Sequence, residues 1–264
     1  MQSAETNLPS LTANFDFASW SLASKCLFIY GGLMLLGLVL TYLVSLSDVR
    51  TFREVGVWVK PMKFMAATAL FAWTTVWLAV LANTNVTHTE SYKWICVLIV
   101  LTSLFEVFYI TYQAFQGEAS HYNNTDPFHA MMFGVMALAA VGLTASQAWL
   151  AWEIWAARES DSLSVSDLGV IIGLTLTFVL STISGFMLGG NQPPAGQGLP
   201  FVGWHLYKDI RPAHFLGVHA QQLIPLLGLL VERFSGAYAL KVFRIGSAVY
   251  VSLWGALTWL SLSN

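Results

Sequence analysis

The run CLFIYGGLMLLGLVLTYLVSL (26–46) decides the fold. No acidic or basic side chain interrupts it between Lys25 and Asp48. A membrane helix needs about 20 mostly apolar residues to cross a hydrocarbon core of ~30 Å, and this run supplies them in one piece. It is too long for a transmembrane β-strand, which takes about 10 residues with strictly alternating sides. Backbone polar groups in lipid must be satisfied within the segment, so the run predicts a helix.

The same reading extends along the chain. Seven spans are expected, at about 22–47, 62–82, 93–116, 130–155, 167–189, 212–232 and 237–262. Hydrophobic residues make up 56% of the 264, charged residues only 10%, and mean hydropathy is +0.63. An ordinary soluble domain carries about 25% charged residues, so 12 Lys+Arg and 14 Asp+Glu are too few to cover a soluble surface. A net charge of −2 leaves no polyanion-binding footprint. A soluble enzyme, a nucleic-acid binder and a disordered chain are excluded. The expected fold is all-α: a seven-transmembrane-helix bundle forming one integral membrane domain over 1–264.

Segment 1 does not read as a cleaved signal. The residues before Lys25 include Glu5 and Asp16 and no Lys or Arg, and the apolar run exceeds the 7–15 residues usual in a signal. No internal repeat points to an inverted-repeat transporter. Cys26 and Cys96 lie near the starts of segments 1 and 3, at one membrane side, and read as free packed thiols. Pro225 is a potential kink in segment 6.

Let side A be the end that segment 1 reaches, and side B the N-terminal side. Basic residues divide equally: Arg50, Arg53, Lys60, Lys63, Lys208 and Arg211 on A, and Lys25, Lys93, Arg158, Arg233, Lys241 and Arg244 on B. With Lys60, Lys63 and Arg211 set aside as site residues, the positive-inside rule makes side B cytoplasmic and side A external.

Histidines are one-sided. His121, His129, His205, His214 and His219 fall on side A, with Glu118, Asn123, Asp126 and Asp209 beside them; His88 alone is on side B. At ~1.5 Å rise per residue, His219 lies ~10 Å inside segment 6 and Gln222 ~15 Å. On segment 3, Gln113 is ~6 Å in and Glu106 ~16 Å, with Ser181, Thr182 and Ser184 at intermediate depth on segment 5. The expectation is a polar shaft running from side A to Glu106, the one acid deep in a span. Glu106, Tyr109, Gln113 and Gln116 form its stripe on segment 3. Glu106 has a structural alternative, a bond to Gln222 or a Ser/Thr that ties helices together.

His214 and His219 are separated by ~140° around a helix, so they point to two sites more readily than to one metal. One stripe runs through His214, Gly217 and Gln221, the other through His219, Gln222 and Leu226. Lys60-Pro61-Met62-Lys63 and Arg211-Pro212 put cations at helix starts that already favour anions. They could hold a lipid phosphate, a carboxylate substrate or haem propionates; snorkelling toward headgroups is the plain alternative. Trp20, Trp58, Trp94, Trp149, Trp152, Trp155, Trp204 and Trp259 read as an aromatic belt.

The motifs WVKPMKF (58–64), QAFQGEASHYN (113–123) and DIRPAHFLGVHAQQLIPL (209–226) together resemble an uncharacterised family of small bacterial multi-span membrane proteins. The resemblance implies a bacterial source, hence an inner-membrane location, and a multi-span fold. It implies no activity. In size and helix count the chain also resembles the seven-helix alkaline ceramidase and adiponectin-receptor-like hydrolases, which hold zinc with three histidines and complete the site with an Asp and a Ser. It departs from them in its H-x4-H spacing, where they have H-x3-H, and it lacks a matching Ser-x3-His on segment 2.

Three functions fit these residues. The first is a membrane redox protein binding haem b or a transition metal (Fe, Cu or Zn) and acting on a quinone or lipid. Its metal ligands would be His121, His214 and His219. Lys60, Lys63, Arg211 and Gln222 would hold the cofactor, and Glu106, Gln113, Asn123 and Asp209 would be the catalytic residues. Covalent haem is excluded because no C-x-x-C-H motif is present. The second is a zinc-dependent lipid hydrolase with Glu106 or Glu118 as general base. The third is a proton-coupled small-solute transporter or channel.

Overall fold

The computed structural model describes residues 16–82, 85–158, 163–191, 193, 198–199 and 203–263. Glu5, used above against a cleaved signal, lies outside them. Seven helices carry the described chain: α1 (Leu22–Ser45), α2 (Val59–Leu81), α3 (Glu90–Gln116), α4 (Pro127–Ala156), α5 (Val165–Gly189), α6 (Arg211–Phe234) and α7 (Ala239–Ser263). All seven are long and apolar enough to cross a membrane, and the fold is the all-α seven-helix bundle read from the sequence. Two small antiparallel hairpins sit at side A: β1 (Thr51–Phe52) with β2 (Val55–Gly56), and β3 (Gly198–Leu199) with β4 (Gly203–Trp204).

Helix starts fall up to three residues earlier than the apolar runs suggest, because caps reach into polar sequence. Thr89 caps α3 by accepting from the N–H of Tyr92 at 3.2 Å. Asp126 caps α4 ahead of Pro127, accepting from Phe128 and His129 at 2.8 and 3.0 Å. Ser164 and Asp167 form a reciprocal capping box on α5. α3 ends at Gly117, whose φ of 76° only glycine adopts readily. By contrast, α2 and α6 start without a side-chain cap.

The interior is uneven. Leu27, Leu78, Tyr92, Ile95, Leu150 and Leu174 belong to one apolar cluster filling the side-B half. Buried polar residues are threaded through the midplane and the side-A half, at Thr177, Ser181, Ser184, Gln221, Glu106 and Gln113, beside smaller apolar clusters around Trp58 and Ile110. α5 and α6 approach very closely. A Cβ on Gly173 would lie 2.6 Å from Cδ of Pro225, and one on Gly217 would lie 2.8 Å from the backbone N of Ser181. Pro225 therefore packs its ring into a notch in α5, and α6 remains one helix through it.

Candidate functional site

Glu106, on the inward face of α3, is 5% exposed. Its charged counterpart is Lys60, in the first turn of α2. The two are within electrostatic reach, yet they form no direct ion pair within 4.0 Å. An acid and a base thus lie within electrostatic reach of each other inside the bundle without pairing directly. Gln222, one partner considered for a structural Glu106, donates its amide instead to Thr74 Oγ1 at 3.1 Å. Gln113, 1% exposed, donates to the Tyr109 hydroxyl at 2.9 Å and leaves its Oε1 without a partner. Gln221 is fully buried with both amide atoms unpartnered. The stripe on α3 differs from the expected one at one residue: Gln116 is exposed and bonded to Tyr112. Its deep end is Ser103, which pairs with the Tyr30 hydroxyl at 2.8 Å.

The histidines look in different directions. His214 Nδ1 meets Ser184 Oγ of α5 at 3.1 Å. His219 Nδ1 meets Gln222 Oε1 at 3.2 Å, and through Gln222 it is joined to Thr74 of α2. The two stripes of α6 therefore serve two neighbours, as their angular separation requires. His121 lies in the α3–α4 loop, its Nδ1 3.2 Å from Ser120 Oγ, between the rings of Phe64 and Phe133. Burial, reinforced by Lys60, holds its imidazole well below the ordinary histidine range. Among the described residues no three His, Cys, Asp or Glu side chains come together where they could hold a metal ion. His121, His214 and His219 are thus not gathered into the single ligand set considered from the sequence.

Two other expected site residues are committed to local structure. Asn123 donates to Ala119 O at 3.0 Å and accepts from the backbone and hydroxyl of Thr125 at 3.2 and 2.8 Å, shaping the loop. Asp209 binds Arg211 in a fork, Nε to Oδ1 and Nη2 to Oδ2, both 2.6 Å. Burial raises the Asp209 carboxyl, but this guanidinium outweighs it and leaves the group below the usual range. Lys63 lies within electrostatic reach of Arg211.

Other features were not read from the sequence. Trp204 is no belt residue: Arg53 lies 4.9 Å and Lys60 5.5 Å from its ring, and Tyr122 and Phe52 pack nearby. Trp58 is 7% exposed and donates its indole N–H to Asp48 at 2.8 Å. His129 places Nδ1 2.6 Å from Asp126 and Nε2 3.2 Å from Glu118, tying the end of α3 to the start of α4. The backbone and ring N–H groups of His129 hold the Asp126 carboxyl below its usual range. Tyr122, at φ 56°, donates to Leu188 O at 2.8 Å; burial pushes its phenol up to about 12. Aromatic residues near basic ones were visible in the sequence, but not which of them would meet.

The class defined by fold and site is a seven-helix, multi-pass membrane protein with buried polar side chains in its interior. No family model, curated protein or solved structure matches the chain.

Proposed function

We propose that the protein is a proton-coupled carrier that admits a small polar solute from side A. The observation that carries this reading is the unpaired coupling of Glu106 with Lys60 inside the bundle, near buried Gln113, Gln221, Ser181 and Ser184. A carboxylate and an amine held apart can each exchange a proton with what lies between them. Buried ionisable groups within a membrane are expensive and tend to mark ion or substrate paths. The apolar cluster toward side B acts as the closed gate of this state. The metal-dependent readings, redox and hydrolytic, have less support, because the three histidines turn to separate partners.

The test is proton flux into proteoliposomes loaded with a pH-sensitive dye, with potassium and valinomycin clamping the potential and a pool of small metabolites outside. Flux above empty liposomes that is lost in Glu106→Gln is the expected result. No flux from wild-type protein, or equal flux from the variant, would overturn the reading.

A further inference from the structure

We infer that the side-A mouth holds an oxyanion-binding site, built by Arg53, Lys60, Lys63 and Arg211 around Trp204, whose ligand is a small carboxylate or phosphate. This deepens the carrier reading and rests on it for the role of the ligand as solute. The site itself stands on separate observations.

The first is the unusual convergence of positive charge. Arg53 reaches in from the β1–β2 turn, Lys60 from the first turn of α2, and both lie against one indole. Lys63 is one helical turn beyond Lys60, and Arg211 begins α6. Cations over an aromatic face gain about 0.5–2 kcal/mol each, which helps hold them near one another but does not neutralise them. Of the acids that interact with Lys60 and Arg211, Asp209 is engaged by Arg211, and Glu106 makes no ion pair with Lys60 within 4.0 Å.

The second observation is unused bonding capacity. Nη1 of Arg53 is buried without a partner. A buried guanidinium N–H left unbonded is costly, and an oxyanion is the ligand that satisfies it, since carboxylate and phosphate match the planar fork. Arg211 spends Nε and Nη2 on Asp209. Its Nη1 faces Gly203, where a Cβ would sit 3.5 Å away, so the glycine keeps that nitrogen approachable. Gly203 has φ 113°, a conformation open to glycine and strained for other residues.

The third observation lies deeper. Gln113 is 1% exposed with one amide atom unpartnered, on the Glu106 face and nearer side A. Its amide orientation is interchangeable. With the amide turned over, the Tyr109 hydroxyl donates to Oε1 and the NH2 is free to donate to an anion. The first turn of α2, which no side chain caps, adds backbone N–H groups on the same side, whereas on α6 the Arg211 N–H is taken by Asp209 Oδ1 and Pro212 has none. Hydrogen-bond donors in fixed directions select an oxyanion over chloride.

The test is calorimetric titration of the purified full chain, in a maltoside detergent at constant ionic strength, with inorganic phosphate, succinate and chloride. Saturable binding of phosphate or succinate but not chloride is expected, weakened at least tenfold in Arg53→Gln and partly restored in Arg53→Lys. Circular dichroism and gel filtration establish that each variant is folded, and the wild-type comparison of phosphate with chloride depends on no variant. Repeating the titration in phosphatidylcholine nanodiscs with and without phosphatidylglycerol separates the sources. Suppression by phosphatidylglycerol identifies a lipid headgroup as the resident ligand, and no suppression identifies a free solute; either supports the site. Absence of saturable oxyanion binding, or unchanged binding in folded Arg53→Gln, overturns it. Oxyanion binding without proton flux overturns the carrier function and leaves the site, and flux without such binding does the reverse.

Discussion

Removing both members of the Glu106–Lys60 pair should cost less than the sum of removing each alone. Two unit charges 4 Å apart in an effective dielectric of about 20 interact by about 4 kcal/mol, and at twice that distance by about 2. The pair stands beyond 4.0 Å, so its coupling is below about 4 kcal/mol, and about 2 kcal/mol is taken as the expected value. Lys60→Met leaves an acid 5% exposed with no cation, and Glu106→Gln leaves a partly buried ammonium among three other cations. Each single variant is expected to lose about 3 kcal/mol, the bottom of the range for breaking a buried pair, because Lys60 is only partly buried. The double variant should lose about 2 kcal/mol less than the sum. The assay is reversible unfolding in mixed detergent micelles with increasing dodecyl sulfate, followed by far-ultraviolet circular dichroism for the wild type, both singles and the double. Additivity within about 0.5 kcal/mol would refute the coupling, since independent sites add to that precision.

Gly217→Leu should destabilise the bundle by about 1–3 kcal/mol, the usual cost of overpacking, because even a Cβ would meet α5 backbone at 2.8 Å. The same unfolding assay measures it, with Gly134→Leu, where a Cβ meets open space, as the neutral comparison. The α3–α4 loop should loosen as the solution acidifies. The His121 imidazole is depressed in the folded state, so the unfolded loop binds the proton first. The neutral-histidine contribution is therefore complete above the ordinary value of about 6.5 and is lost as pH falls below it. Hydrogen exchange of residues 117–126 between pH 7.5 and 5.5, corrected for intrinsic rates, should show falling protection in the wild type and a flat profile in His121→Gln. A flat wild-type profile would contradict this.

The helices were legible because lipid makes hydropathy almost sufficient: a run such as 26–46 has no other stable form in a bilayer. Their first turns were less legible, since the caps Thr89 and Asp126 look like loop residues until the N–H groups they bond are known. The β1–β2 hairpin was hidden for a related reason. Its turn puts Arg53 and Glu54 at φ 51° and 64°, positions where glycine or asparagine is the usual signal. Depth along a helix could be read from the rise per residue, which placed Glu106 and Gln113 inside the bundle. Which helix each would face could not. The partnership of Glu106 with Lys60, and of His214 with Ser184, depends on how α2, α3, α5 and α6 are rotated. Trp204 was assigned to a belt because its composition-level signal is the same whether it meets headgroups or cations.

The notch that Gly173 offers to Pro225 has a mechanical consequence. A ring keyed into a backbone recess resists both sliding and rotation, so α5 and α6 travel as one beam. His214 and Ser184 ride on that beam together, whereas Lys60 and Glu106 belong to the opposing helices. Any motion that parts α6 from α2 must then shear the seam between Gln222 and Thr74, an amide–hydroxyl bond that can break and re-form without unkeying α5 from α6.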